Sequence, residues 1–396
     1  MNAKETREYI SSVISNPNIA ESIYKTLNSA IKNQDIYFIH NSSVKDTFDL
    51  ILENSIRDIE NHPRGQLFQR LIEYGPLNPD EDDLSAYKQN TVLSDEECAS
   101  AVNFIFSFII NQFKGELAEL LSIQPCFNLF EELKKSNRIS KNAFICFGDY
   151  IREYKKSKKN TTNSSLVLAK GADGLIAEKS NNSKSLTVSA IIEIKSMYVP
   201  PEKLLAQISK HISRLKWGLV LGEEKFTPQE LNIDKKNTLQ IMITPSSWKV
   251  NRNFTWEEKD GVRRMIFPEP DFPKEKTTIN KIDSNTYEIK LNWSQESLEQ
   301  AAFEMTFWYM SQVGKKVFDN KPLPKNWEGM TTEEAGFNSI KEKLYYIMQP
   351  YHYKYAKLSK KQKLRKQRMI KLYNVYSFGY PLGVDSKEML WPEDIK

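Results

Sequence analysis

The chain has 396 residues, of which 40% are hydrophobic and 11% aromatic, and its net charge at pH 7 is +5. This composition predicts a folded protein of two or three domains and excludes disordered and collagen-like classes. The three cysteines contain no CxxC pair and the four histidines are scattered, so neither a disulfide framework nor a Cys/His zinc site is expected. No segment approaches about 18 consecutive apolar residues, and the N-terminus lacks a signal-peptide pattern. We therefore expect a soluble cytoplasmic protein without a membrane partner.

Residues 1–105 form the first predicted region, which is helical. Apolar residues recur at three- and four-residue spacing in IAESIYKTLNSAI and TFDLILENSIRDI, and NFIFSFIINQFKGELAELLS is a more buried version of the same pattern. Turn formers interrupt it at 61–65 and 75–83. The last long helix belongs to the next region.

Residues 106–250 form the predicted core of the protein. A helix from Phe104 to Leu121 and a second helical stretch precede three strand-like runs, SLVLA, ADGLIAE and LTVSAIIEIK. Pro200 and Pro201 begin an amphipathic helix, and WGLVLG and NTLQIMIT indicate further strands. The order of helix, three mostly antiparallel strands, helix and strand predicts an α/β fold.

Residues 251–396 form the third predicted region, which is mainly helical and basic. NTYEIKLNW indicates a strand, and a long helix is expected from Ser294, as N-cap, to Phe318. The last 60 residues contain the most basic part of the chain.

Candidate site residues lie on the hairpin formed by the second and third strand-like runs. Alternate side chains of a strand share a face, so the even positions of 186–195 are all apolar while Glu193 and Lys195 share the opposite face. Asp173 begins the neighbouring run, which is joined through the polar NNSK turn. We therefore expect Asp173 to approach Glu193.

Two converging carboxylates suit Mg²⁺, which prefers hard oxygen ligands and keeps several waters. A metal held by Asp173 and Glu193 would stabilise charge on a phosphodiester in the transition state and acidify an attacking water. Lys195 would position that water or stabilise the developing negative charge.

This pattern resembles the PD-(D/E)xK nuclease superfamily, whose core has the order αβββαβ. The resemblance covers residues of about 110–250, and Ala172 stands where the family often has Pro, at a position that varies. It implies a restriction endonuclease-like fold and hydrolysis of double-stranded DNA, as in type II restriction endonucleases. It also implies Mg²⁺ as cofactor, with Mn²⁺ as a substitute.

The resemblance implies two further site residues on the flanking helices. The family often places a Glu four residues after a Gly on the helix before the hairpin, and Gly115 and Glu119 fit this spacing. Glu119 is therefore expected as a catalytic and metal contact. Gln207 is the candidate for a polar residue on the following helix, and with Lys210, His211 and Arg214 it is expected to face DNA phosphates.

Simpler interpretations remain open for these residues. Asp173, Glu193 and Lys195 would then be surface charges or an inactive copy of the motif, Glu119 a surface carboxylate, and His211 an amphipathic surface residue.

A rival match to the motif reads Pro270-Asp271 followed by Glu288-Ile289-Lys290. A second Pro and heavy charge disfavour a hairpin strand after Asp271. The clean alternation around Glu288 is typical of a solvent-facing sheet edge.

A basic segment near the C-terminus predicts a nucleic-acid surface. It has nine Lys or Arg from Lys354 to Lys371, interleaved with tyrosines, and can neutralise phosphates and stack on sugars or bases. A solvated basic helix is the alternative. The predicted contacts in this segment are Lys360, Lys361, Lys363, Arg365, Lys366 and Arg368. Lys155 and Lys156 form a second basic run before the hairpin.

The leading functional hypothesis is therefore a Mg²⁺-dependent, site-specific endonuclease of restriction–modification type. The alternatives are a non-catalytic DNA- or RNA-binding protein, an activator-gated defence effector, a transposon end-cutting nuclease and, with less support, a structural scaffold. A homodimer suits cutting both strands of a symmetric site. No GxxxxGK[ST] string is present, so no nucleotide cofactor is expected.

Overall fold

The computed structural model describes residues 2–14, 16–38, 43–67, 104, 108–156, 166–180, 182–197, 199–234, 236–246, 255–259, 262–266, 276–295 and scattered positions from 297 to 312. The chain divides into two compact units. The first spans 1–52, 115–250 and 272–298, and the second spans 53–114, 251–271 and 299–396. The first unit thus combines most of the predicted core with parts of the two flanking regions.

The helices form where the apolar spacing predicts them. Asn2 and Asn16 cap the first two helices, each with a side-chain oxygen that accepts from backbone N–H groups two and three residues later. The fourth helix continues through Pro125, past the predicted end at Leu121. Helices α1–α5 are Ala3–Val13, Pro17–Lys32, Val44–Glu60, Ile110–Lys135 and Pro201–Arg214.

Ser294 also acts as the predicted helix cap, because its Oγ accepts from the backbone N of Ser297 at 3.1 Å. The described positions from 297 to 312 are helical.

Fourteen strands are assigned within the described residues. Strands β1–β14 are Ile36–Tyr37, Phe144–Phe147, Ile151–Lys156, Leu166–Lys170, Gly174–Lys179, Leu186–Ile194, Leu219–Leu221, Glu224–Phe226, Leu231–Ile233, Leu239–Ser246, Thr255–Lys259, Val262–Ile266, Thr278–Lys281 and Thr286–Ser294.

The main sheet of the first unit is mixed, so the protein is of the α/β class. Its order is β1-β2-β5-β6-β10-β14-β13, and β9 also pairs with β6. Strand β5 is antiparallel to both of its neighbours, β2 and β6, whereas β10 runs parallel to both β6 and β14. In chain order α4 precedes β2, β5 and β6, and these are followed by α5 and β10, with β3 and β4 between β2 and β5 and with β7, β8 and β9 between α5 and β10.

One predicted pairing is wrong. The sequence placed three runs side by side, but the first of them, β4, pairs with β3 in a separate sheet of order β4-β3-β7-β8. Strand β2 occupies the place beside β5. The pattern did not indicate β2 because it has only four residues without alternation, and β3 merges into the basic run that follows it.

A bulge in β6 changes which of its residues share a face. Ile176 pairs with Ala190 and Ala177 with Val188, so Ser189 is an extra residue opposite β5. Alternation holds on each side of the bulge but changes phase there, so the assumption that all even positions of β6 share one face is wrong. Leu186 and Val188 lie in the same core cluster as residues of α5. From Ala190 onward the alternation holds.

The rival strand is not a sheet edge. Strand β14, which carries Glu288 and Lys290, lies between β10 and β13. The expectation of a solvent-facing edge was wrong because β13, whose sequence TINK is short and polar, supplies the outer pairing. Pro270 and Asp271 lie outside the described residues.

The structure also bears on the expectations for the cysteines and for membrane-spanning helices. Cys126 and Cys146 are buried free thiols, and Cys98 lies outside the described residues. None of the described helices combines the length and apolarity that crossing a membrane requires.

The core between α5 and the main sheet fixes the helix that adjoins the candidate site. Leu204, Ile208 and Ile212 of α5 are buried together with Ile191 of β6 and Met242 of β10. This packing holds one face of α5 against the end of the sheet that carries Glu193.

Replacing Ile208, which is fully buried, tests this packing. We expect Ile208→Ala to lower the free energy of unfolding by about 2–5 kcal/mol, because it removes apolar contacts and leaves a cavity. Urea denaturation measures the change. Ser209→Ala, on the exposed face of the same helix, is the control and should shift stability by less than about 0.5 kcal/mol. Equal effects of the two substitutions would contradict the packing.

Candidate active site

Asp173 and Glu193 meet at one end of the β5–β6 hairpin. Gly174 pairs with Ile192 in the antiparallel ladder, which brings the preceding Asp173 beside the end of β6. The Asp173 Oδ2 atom accepts a hydrogen bond from the backbone N of Ile194 at 2.8 Å. The predicted approach of the two carboxylates is therefore observed, and a backbone amide orients one of them.

Lys195 lies between these carboxylates. Its Nζ is 2.5 Å from Glu193 Oε1 and 3.8 Å from Asp173 Oδ2. Its backbone N donates to the carbonyl of Ile243 on β10 at 2.9 Å, which fixes the chain where β6 ends. All three side chains are largely shielded, with Glu193 only 6% exposed.

Burial and a neighbouring like charge shift the pKa of Glu193. Burial raises its pKa, and the neighbouring Asp173 raises it further, while Lys195 and His211 oppose the shift. The net direction is upward. Glu193 is thus a carboxylate whose ionised form is incompletely neutralised by the protein.

Glu119, on α4, reaches the same end of the sheet. Its Oε1 accepts from Lys170 Nζ at 2.9 Å, and its Oε2 would be 3.3 Å from a Cβ placed on Gly148. Gly148 has φ +59° and donates its N–H to the carbonyl of Asp173 at 2.9 Å. A glycine there permits both the left-handed turn and the close approach.

Burial raises the pKa of Glu119 to about 7; Lys170 lowers it, whereas Asp173 and Asp149 raise it. Burial alone would lower the pKa of Lys170, but the carboxylates of Glu119 and Glu116 raise it overall. The charge of Asp173 therefore affects the protonation of Glu119, so Glu119 interacts electrostatically with the candidate site. The sequence did not point to Lys170, which lies three residues before Asp173 on β4.

A second network adjoins Glu193 from α5. His211 Nδ1 contacts both oxygens of Glu153, at 2.8 and 2.9 Å, and its Nε2 is 3.6 Å from Glu193 Oε2. Arg214 Nη1 is 3.7 Å from Glu153 Oε2. The surface interpretation of His211 is wrong, since its side chain is 12% exposed. His211 and Arg214, which were expected to face DNA phosphates, both contact the buried carboxylate of Glu153. Glu153 was not identified from the sequence, because it lies on β3, whose residues merge with the basic run that follows them.

The carboxylate pair fits a divalent cation of hard-ligand preference. Asp173 and Glu193 offer oxygen donors only, and a bound cation would offset both the burial and the neighbouring like charge that raise the pKa of Glu193. Within the described ranges, no group of three or more His, Cys, Asp and Glu side chains could by itself hold a metal ion. Two carboxylates with waters or phosphate oxygens are a usual Mg²⁺ ligand set.

The remaining predicted contacts fall into three groups. Gln207 and Lys210 are exposed on α5, and Lys155 and Lys156 are exposed at the end of β3. Lys156 and Lys216 place their Nζ atoms 5.2 and 4.9 Å from the ring centre of Trp217, an aromatic that the sequence did not single out. The contacts predicted in the basic tail lie outside the described residues, namely Lys360, Lys361, Lys363, Arg365, Lys366 and Arg368.

Comparison of the chain with known protein families, curated proteins and solved structures finds no match.

Glu119 allows a pH test of this electrostatic arrangement. Its pKa rises from 4.5 to about 7 on folding, so the folded chain holds this proton more tightly than the unfolded chain. Stability therefore falls as pH rises through this window. Relative to Glu119→Gln, the wild type should lose roughly 2–3 kcal/mol between pH 5 and 7.5, measured by urea denaturation.

A companion variant tests the ion pair. Lys170→Met removes a charge that lowers the pKa of Glu119, so the carboxyl titration followed by ¹³C NMR should move upward. A pH-independent difference between wild type and Glu119→Gln would contradict the described environment of Glu119.

Proposed function

We propose that this chain is a divalent-metal-dependent endonuclease that hydrolyses phosphodiester bonds of double-stranded DNA. Asp173, Glu193 and Lys195 are the proposed active-site residues. The observation that carries the proposal is the convergence of two shielded carboxylates and an ammonium group, with Lys195 Nζ 2.5 Å from Glu193 Oε1 and 3.8 Å from Asp173 Oδ2.

The succession of elements supports assignment to the PD-(D/E)xK superfamily. Helix α4, the antiparallel strands β2, β5 and β6, helix α5 and the parallel strand β10 follow the order αβββαβ. Strands β3 and β4 are then an insertion between the first and second core strands, and β7, β8 and β9 are a second insertion between α5 and β10. Within this superfamily we propose a site-specific enzyme similar to type II restriction endonucleases.

The chain's own groups divide the chemistry between them. Asp173 and Glu193 would hold Mg²⁺, or Mn²⁺ in its place, which would supply charge stabilisation and acidify a water. Lys195 would stabilise negative charge that develops on the scissile phosphate, because its ammonium group is held beside the two carboxylates that would bind the metal. The hydrogen bond from Ile194 N orients Asp173 before the substrate arrives. Glu119, linked electrostatically to Asp173, is the proposed further metal or water contact.

Three exposed lysines and one exposed glutamine supply the proposed DNA contacts. Lys155 and Lys156 of β3 and Gln207 and Lys210 of α5 are exposed in the same unit as the candidate site. Such groups contact phosphates and position a duplex without specifying its sequence. We further propose that two copies of the chain act as a homodimer, one on each strand.

Cleavage of a long linear duplex tests the catalytic assignment. We expect the wild type to cut with Mg²⁺ or Mn²⁺ and not with EDTA. Asp173→Asn and Lys195→Ala should cut at least about 100-fold more slowly, because the first removes a proposed metal ligand and the second removes a cation that would stabilise transition-state charge. Time courses on agarose gels give the rates.

The rival motif supplies matched controls for this experiment. Glu288→Ala and Lys290→Ala break an ion pair of the same E-x-K spacing, 3.4 Å long on β14, and should leave the cleavage rate unchanged. Discrete fragments support a site-specific enzyme, and a smear supports a non-specific effector. Intact DNA in every wild-type lane, with salt-sensitive binding retained, would overturn the nuclease in favour of a binding protein.

Salt dependence tests the proposed DNA contacts. The slope of log K against log salt concentration is negative, and each lost phosphate contact reduces its magnitude by about 0.9. We expect a flatter slope, with weaker binding to all sequences, for the double variant Lys155→Ala/Lys156→Ala. The same holds for the tail variant Lys360→Ala/Lys361→Ala/Lys363→Ala/Arg365→Ala. Fluorescence anisotropy with a labelled duplex measures both.

A double variant of two other lysines controls for net charge. Lys4 and Lys25 are 86% and 71% exposed on α1 and α2, and Lys4→Ala/Lys25→Ala removes the same charge as the β3 variant. Equal slopes for these two variants would remove the contact assignment from Lys155 and Lys156.

A further inference from the structure

One buried carboxylate joins three parts of the first unit around the candidate site. The Glu153 side chain is 1% exposed and projects from β3. It contacts His211 Nδ1 on α5, and its Oε1 accepts from the backbone N of Ala172 at 3.1 Å. Because an unpaired buried carboxylate is strongly destabilising, these partners stay with Glu153 in the folded chain.

The two partners of Glu153 lead to the two carboxylates of the proposed site. Ala172 directly precedes Asp173, and His211 presents Nε2 to Glu193 Oε2 at 3.6 Å. Glu193 thus has Lys195 at one oxygen and His211 at the other. The Glu153–His211 pair is therefore linked to Asp173 through Ala172 and to Glu193 through the His211 ring, although neither residue belongs to the β5–β6 hairpin.

The chemistry of the contact fixes the ring of His211. A carboxylate only accepts hydrogen bonds, so Nδ1 carries the proton in the contact with Glu153. This places Nε2 on the side of Glu193. Arrangements in which a carboxylate orients a histidine are used to hold metal-site groups in place.

A glycine allows the backbone to reach Glu153. A Cβ on Gly171 would lie 2.7 Å from Ile151 Cγ2 and 3.2 Å from Glu153 Cγ. Residue 171 must therefore lack a side chain for the segment before Asp173 to approach β3 this closely.

We propose that Glu153 and His211 are positioning residues that hold Asp173 and Glu193 at the separation the reaction needs. The proposal rests on the nuclease function proposed for the same site. Glu153 acts through the Ala172 backbone on Asp173, and His211 acts on Glu193.

The test compares two conservative variants of the full chain with a control. His211→Asn keeps an amide nitrogen near the Nδ1 position, which can still bind Glu153, but lacks the atom that faces Glu193. Glu153→Gln keeps the shape of the side chain and removes its charge. Ser209→Ala, on the exposed face of α5, is the control. The measurements are kcat and KM for duplex cleavage, the Kd for Mn²⁺ by calorimetry without DNA, and the thermal unfolding midpoint.

A positioning role predicts that both variants lose about 10–100-fold in kcat and bind Mn²⁺ more weakly, with KM little changed. The unfolding midpoint of His211→Asn should stay near that of the wild type, which separates positioning from stability. Since His211→Asn leaves Glu153 paired, it also decides the question where Glu153→Gln does not fold.

Two failures are distinguishable. If the wild type cuts and both variants cut and bind Mn²⁺ as it does, the positioning role is overturned and the nuclease stands. If the wild type neither cuts nor binds the ion, the proposed function fails, and the positioning role fails with it.

Discussion

The burial of two neighbouring carboxylates is the constraint around which the candidate site is organised. Asp173 and Glu193 lie at one end of a hairpin, where burial and their mutual proximity raise the pKa of Glu193. Each has a neighbour that offsets this cost. The backbone N of Ile194 binds Asp173, and Lys195 binds Glu193. These two polar partners restrain the carboxylates at the end of the hairpin.

The second sheet contributes more to this site than its separate pairing suggests. Strand β3 carries Glu153, and strand β4 ends in Lys170, which pairs with Glu119 of α4. The chain passes from this sheet to the main sheet through residues 171–173. Because that crossing is short, the side chains just before and after it are brought to the same end of the main sheet. The β3–β4 hairpin, which lies between β2 and β5 in chain order, thus places charged side chains near the Asp173 segment.

The two E-x-K strings of this chain differ in their surroundings and not in their spacing. Glu193 and Glu288 occupy matching positions on parallel strands, with Met242 of β10 between them. Both strings lie on antiparallel hairpins, and in the first the partner Asp173 accepts a hydrogen bond from the strand that carries the string, whereas Asp271 lies outside the described residues. Spacing therefore identifies both candidates, and the observed contact with a distant carboxylate favours the first.

Local patterns in the sequence were sufficient for the helices and for the hairpin that carries the site. Apolar spacing marks α2, α3 and α5, and the parity of residues 190–195 separates Glu193 from Ile194, because both depend on contacts near in sequence. The partners of β4, the bulge at Ser189 and the inward turn of His211 depend on strands far apart in the chain. Only the tertiary structure decides these features. Their energies come from packing and from the pairing of buried charges, which no periodicity records.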